Sequence, residues 1–307
     1  MNKNLKGNLL LVLAAFIWGI SFVMQDKAAL FLSPFTINGV RSLIGTAALM
    51  PLILVRSKKS GVPVFEKTAQ NRKELIISGI LCGVFLCIAT NFQQFGIALY
   101  PDDAAASGRT GFITALYVVL VPLFGLFSKK RIGFTVWLGV LFATVGMCLL
   151  CIGEGAGGIY IGDMVVLCCA IAFTLQILCV DRCADSVDGV KLSALQFFVC
   201  GVLSLVLMAI FEEPQISDIL KAAPYILYLG VMSCGVAYTL QIIGQQYSKN
   251  PTVASILMSL ESVFAALAGA VLMGEKFTAR ETLGCIIMFA AIVLSQLPAP
   301  KLHKERA

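Results

Sequence analysis

Apolar runs of about twenty residues recur along the whole chain, separated by short polar breaks. A helix crossing roughly 30 Å of hydrocarbon needs about 20 such residues at 1.5 Å each. The runs therefore predict ten spanning helices, over about residues 7–25, 34–55, 75–99, 104–127, 134–152, 162–180, 191–211, 223–247, 251–273 and 280–297. Lys3 and Lys6 precede the first run as they would in a signal peptide. The second run begins within ten residues and no soluble domain follows, so the first is read as a membrane helix.

The pattern repeats. "AAFIWGISFVMQDKA" (14–28) aligns with "CAIAFTLQILCVDRC" (169–183), and "GVFLCIATNFQQFGIALY" (83–100) with "GVMSCGVAYTLQIIGQQY" (230–247). In the second pair Gly83, Cys87, Gln94 and Tyr100 meet Gly230, Cys234, Gln241 and Tyr247. The expected organisation is a first five-helix repeat over 1–153, a second over 154–298, and a basic tail over 299–307. Five is odd, so the second repeat enters the membrane from the opposite side. The loops agree: the one after span two carries Arg56, Lys58, Lys59, Lys67, Arg72 and Lys73, whereas its counterpart "FEEPQISDILK" (211–221) is acidic. The fold class expected is an all-α membrane protein, ten transmembrane helices arranged as two inverted five-helix repeats. Inverted repeats are the architecture of secondary transporters, in which two halves rock about a shared midplane site.

Charge sets the orientation. Cytoplasmic loops carry an excess of Lys and Arg. With both termini cytoplasmic, "KKR" (129–131), the loop after span two and the tail all fall inside, while only Lys27, Lys221, Lys276 and Arg280 fall outside. A multi-pass protein of the plasma membrane results, and the absence of an N-x-S/T acceptor fits a bacterial inner membrane.

Composition excludes other classes. The chain is 59% hydrophobic and 13% charged, with a mean hydropathy of +0.91, against about 25% charged in soluble domains. The net charge of +6 sits in short breaks and forms no basic face, so nucleic acid is not an expected partner. The eleven cysteines lie mostly within apolar runs, where a free thiol behaves as a small hydrophobe; "CLLC" (148–151) lacks further ligands. His303 is the one histidine and sits in the tail, so neither a metal centre nor a histidine-based catalytic site is expected, and no cofactor. No Walker motif points to ATP drive. A polytopic membrane enzyme would need more acid/base groups than one intramembrane carboxylate. A channel would need symmetric charge rings or carbonyl filters.

Charged residues at membrane depth are expensive and usually face a bundle interior or wet cavity. Three occur: Arg41, Arg109 and Glu261, the last inside "SILMSLESVFAALAGAVLM" (255–273). The repeat places Arg41 on Gln196, Arg109 near Leu257 and Glu261 near Ile113, so none has a charged mate. Glu261 pairs with an arginine as a structural ion pair, or binds substrate or protons, or stands unpaired and neutral. Two arginines against one carboxylate leave a spare positive charge that suits a substrate carboxylate, and both signs together suit an amino-acid-like zwitterion. Asn91, Gln94 and Ala98 share one face of span three, with Tyr238, Gln241 and Gln245 on the matching face of span eight. Amides facing lipid would be unsatisfied, so both faces are expected to look inward. Trp18, Tyr117 and Gln176 are further expected lining residues, and aromatic walls suit an organic solute. Pro122 is expected to kink span four, and Gly79 and Gly83 form a close-packing G-x-x-x-G pair.

"LLLVLAAFIWGISFV" at the start, Arg41 early in span two, "GFITALYVVLVPLF" (111–124) and "SLESVFAALAGAVLMGEKFTARETLGCIIMFAAIVL" (259–294) resemble the EamA-type branch of the drug/metabolite transporter superfamily. The resemblance covers essentially the whole chain. It implies transport of a small polar or amphipathic metabolite, often amino acids or related solutes and sometimes drugs or cations, commonly outward. It does not carry over the glutamate that four-helix multidrug relatives use in their first helix for proton exchange, since this chain has Ile17, Trp18 and Ser21 there. Coupling then runs either through protons at Glu261 or not at all.

Overall fold

The structure, a computed structural model, describes residues 3–61, 68–100, 106–127, 133–151, 160–183, 185–248, 250–273 and 279–296. The basic tail at 299–307 and "KKR" at 129–131 lie outside the described residues, as does the side chain of Arg109. No strand occurs among those described. The helices are α1 (Lys3–Ala29), α2 (Pro34–Ser60), α3 (Ala69–Ala98), α4 (Ala106–Thr114), α5 (Tyr117–Phe127), α6 (Phe134–Cys151), α7 (Ile161–Cys183), α8 (Gly189–Phe211), α9 (Ile216–Leu227), a π-helical stretch (Tyr228–Ala237), α10 (Tyr238–Ser248), α11 (Pro251–Met258), α12 (Glu261–Met273) and α13 (Ala279–Gln296). They compose ten spans. Span four is α4 with α5, span eight runs from α9 through α10, and span nine is α11 with α12. Six are long apolar helices and four are shorter ones.

Starts and stops follow from side chains. Pro34 occupies the first turn of α2, where its missing N–H costs nothing, and Gly61 closes that helix at φ +66°. Thr68, Asp188 and Asn250 cap α3, α8 and α11 by accepting free backbone N–H groups. Large apolar side chains such as Leu13, Phe16, Ile80, Val206 and Ile210 cover the exterior, the arrangement a lipid solvent requires.

Packing obeys a pseudo-twofold exchange of the halves. Span one lies on spans eight and nine as span six lies on spans three and four; spans two and seven pair, and so do five and ten. The dominant contacts therefore run between the halves. The sequence repeats are interleaved and do not form two separate bundles that could rock as such. One crossing displays the symmetry in atoms. A Cβ on Gly7 would lie 2.9 Å from the Gly244 carbonyl oxygen and 2.8 Å from Tyr247 Cβ. A Cβ on Gly162 would lie 3.0 Å from the Gly96 carbonyl oxygen and from the Tyr100 ring. These sets occupy opposite ends of the bundle, as inversion demands. We call the end where α1 begins and α2 finishes the N-face.

Spans two and seven are clamped at both ends. At the N-face Arg56 reaches Asp188 at 2.9 Å. At the opposite face both Glu212 carboxylate oxygens accept 2.8 Å bonds from the Phe35 and Thr36 backbone N–H groups, and the Thr36 hydroxyl adds a 2.7 Å bond. A carboxylate at a helix N-terminus satisfies orphan donors and complements the helix dipole. Glu212→Ala is expected to destabilise the protein by about 1–2 kcal/mol, read as a lowered thermal unfolding midpoint in detergent. An unchanged midpoint would deny this clamp any weight.

Candidate functional site

Spans four and nine are both broken, and at equivalent places. Leu116 N–H bonds Ile113 O and Val118 N–H bonds Ala115 O, three residues back; Leu260 N–H bonds Leu257 O and Ser262 N–H bonds Ser259 O in the same way. The four-residue spacing resumes at Leu120 to Leu116 and at Phe264 to Leu260. These matched bonds fix the register here, placing Tyr117 on Glu261 and aligning Leu116, Leu123 and Gly125 with Leu260, Leu267 and Gly269. The equivalence of Glu261 with Ile113 and of Leu257 with Arg109 is thereby corrected. Pro122 lies inside α5, and the break precedes it, where tight three-residue turns replace helical ones. A long hydrogen bond from Ser262 Oγ to Gly111 O, 3.4 Å, links span nine at its break to α4 just before the other.

Each break opens on the residue that starts the next helix, and those two residues meet. The Tyr117 hydroxyl donates to Glu261 Oε1 at 2.9 Å, both side chains being buried. Arg41, also buried, donates from Nη1 to Gln25 Oε1 at 3.0 Å. Arg41 and Glu261 form no ion pair with each other among the described residues. Both line one central cavity of about 40 Å³. Substrate cavities are usually some 300–1,000 Å³, so the walls stand closed on one another.

The cavity is built from equivalent positions of the two halves. Trp18, Ser21 and Phe22 of α1 face Phe173, Gln176 and Ile177 of α7, each pair related by the same offset in sequence. Tyr238 stacks edge-on against Trp18, with centroids 4.7 Å apart, and against Phe197 at 5.0 Å. Amides run through the wall in series: Gln241 Nε2 donates to Gln176 Oε1 and Gln176 Nε2 to Gln196 Oε1, both at 3.2 Å. Three wall atoms, Trp18 Nε1, Arg41 Nε and Gln241 Oε1, are buried without a hydrogen-bond partner. A buried unpaired polar atom costs about 1–3 kcal/mol, so these are places where a bound solute gains most.

Of the residues singled out in the sequence, Glu261, Arg41, Trp18, Tyr117, Gln176, Tyr238 and Gln241 line the cavity. Asn91, Gln94 and Gln245 do not. Asn91 is spent on packing: it accepts from Asn38 and donates to Ser204 Oγ, both at 3.0 Å. Gln94 donates to Gln25 O and Gln245 to Ile177 O. Span three turns Thr90 and Gln93 to the cavity instead, one position earlier. Span eight is π-helical over Tyr228–Ala237, and its wider turn means that equal sequence spacing no longer keeps an equal face. Gln25, Gln93 and Thr114 were not anticipated; Gln93 donates to Thr114 Oγ1 at 3.2 Å. The signal available for Gln25 was its position two turns of α1 beyond Trp18, on the same face.

A family model described as the EamA-like transporter family matches residues 5–152 and 160–297. An uncharacterized transporter of Archaeoglobus fulgidus is 27% identical over 301 residues, covering 96% of this chain and 87% of that protein. The uncharacterized transporter YoaV of Bacillus subtilis is 23% identical, covering 93% of this chain and 94% of the relative. A crystal structure described only as that of a protein superposes with a TM-score of 0.75 at 18% identity, over 97% of this chain and 98% of the other, a likeness of fold.

Proposed function

Because the chain belongs to the EamA-like transporter family, we propose that it is a secondary transporter that exports an amino-acid-like metabolite by alternating access through the central cavity. The observation that carries this reading is the pair of opposite charges in one closed cavity, each held by a neutral partner and not by the other. Arg41, with its free Nε–H, would take a substrate carboxylate together with the Trp18 indole N–H. Glu261 would take a substrate ammonium or a proton, with Tyr117 keeping its orientation. The aromatic wall of Trp18, Tyr238 and Phe197 would cover the apolar part of the solute.

The interleaved packing supports a moving body drawn from both halves. Spans four and nine, each broken beside the cavity, are the elements that would bend about the site. The distribution of lysine and arginine supports a cytoplasmic N-face in a bacterial inner membrane, with both termini inside. Arg109 belongs to the proposed binding set by its place on α4, with its side chain outside the described residues.

The test is counterflow in proteoliposomes of purified protein, offering amino acids, nucleosides and organic cations separately. Saturable exchange of a zwitterion, suppressed by its amino-acid analogues, is the expected result. Exchange of organic cations alone would move the reading to a cation carrier of the same fold. Flux linear in solute concentration would replace the carrier with a channel.

A further inference from the structure

A second and larger cavity, about 950 Å³, lies at the N-face between spans two and eight. It shares no lining residue with the central cavity. Span eight separates the two, turning Cys234, Tyr238 and Gln241 toward the centre, and Val236, Leu240 and Ile243 toward the groove. What enters the groove is thus set apart from the transported solute.

Its shape comes from small residues at its deep end. A Cβ on Gly45 would lie 2.6 Å from Cys234 Cβ, and one on Gly230 would lie 2.5 Å from Ile44 Cγ2, so spans two and eight touch there. From that crossing toward the N-face they splay. Between Val231 and Tyr247 the wall extends roughly 20 Å along span eight, about the length of one acyl chain, and is apolar except at Thr239 and Gln246. Leu52, Val231 and Val236, which line it, are each more than a third exposed, so the groove opens sideways toward lipid. Its N-face rim is polar. Lys3 and Arg56 line it, and Lys6 sits 5.4 Å above the Tyr247 ring beside it. Arg56 is paired with Asp188 at 2.9 Å, and Asp185 also lines the rim, so both signs of charge meet there, with Lys3 outside that pair.

We infer that this groove binds one glycerophospholipid of the N-face leaflet, one acyl chain lying along spans two and eight and the phosphate held at Lys3, beside the Arg56–Asp188 pair. A mostly apolar slot open to hydrocarbon and ending at a charged rim of both signs, with Lys3 at its edge, matches the acyl and headgroup ends of that molecule. The occupant rests against the back of the π-helical stretch, the other side of which forms the wall of the transport cavity.

The test uses purified full-length protein in detergent, supplied with phosphatidylglycerol or phosphatidylethanolamine and read by native mass spectrometry. One retained phospholipid per chain is expected. Leu52→Trp fills the slot from an exposed wall position and should cut retention about tenfold, and Lys3→Ala should weaken it several-fold, both with the unfolding midpoint kept. Leu141→Trp, on an exposed position of α6 away from the groove, should retain lipid like the unmodified protein. Equal losses in Leu52→Trp and Leu141→Trp, or none in either, would overturn the site. Displacement of the lipid by soluble glycerol phosphate would also overturn it, by assigning the rim to a water-soluble ligand.

Discussion

Arg41→Ala is expected to abolish binding of a carboxylate-bearing solute while leaving the protein folded. Removing one member of a buried, hydrogen-bonded charge pair costs about 2–4 kcal/mol, a thirtyfold to thousandfold rise in Kd. Arg41 is bonded through Nη1 to Gln25, and its Nε has no partner. Its loss therefore removes little that holds the fold. Thermal unfolding without ligand should be unchanged or raised, and the ligand-induced rise in midpoint should vanish. Arg41→Lys should recover part of the affinity, since an ammonium keeps the charge and loses the planar fork. Full-strength transport of a carboxylate by Arg41→Ala would end the anchoring role. Collapse of the fold in Arg41→Ala together with full affinity in Arg41→Lys would reduce Arg41 to a generic cation.

Glu261→Gln should separate exchange from drive. The amide keeps a carbonyl oxygen for the Tyr117 hydroxyl, so the bond joining the two helix breaks survives. What disappears is the group able to ionise. Net uphill transport and its dependence on pH are expected to fall to the level of empty liposomes, with counterflow retained if the solute ammonium is held mainly by other atoms. Persistence of the same pH dependence in Glu261→Gln would take the residue out of the proton path. Tyr117→Phe is the companion test: it leaves the carboxylate without its donor, at about 1–3 kcal/mol, and should shift the pH dependence without abolishing it.

Much of this architecture is legible in the chain itself. Hydrocarbon needs about twenty apolar residues per crossing, and that requirement is written into the chain in a way few folds match. The ends were less legible, because helices outrun the hydrocarbon. α3 begins at Ala69, held by the Thr68 cap, and α1 continues to Ala29 past Asp26 and Lys27. The inward set was read well where charge or aromatic bulk marked it, at Arg41, Glu261, Trp18 and Tyr238. It was misread on span three, where Asn91 and Gln93 both avoid lipid for different reasons. One packs against spans two and seven, the other lines the cavity, and an amide at membrane depth announces neither. The helix breaks are not marked in the chain, because Ala115, Leu116, Ser259 and Leu260 include no glycine or proline.

The equivalence of Tyr117 and Glu261 has a mechanical consequence. A bond between two positions that the pseudo-twofold exchanges must straddle the axis itself. If the two access states differ by swapping the conformations of the repeats, this bond maps onto itself and need not be broken or remade. It would serve as a pivot, reached along paths of similar length from either side of the bilayer. Had the repeats stayed identical there, two carboxylates would repel across the axis and two phenols would leave nothing to titrate. Under the proposed mechanism, the unequal pair would place one acid at the pivot.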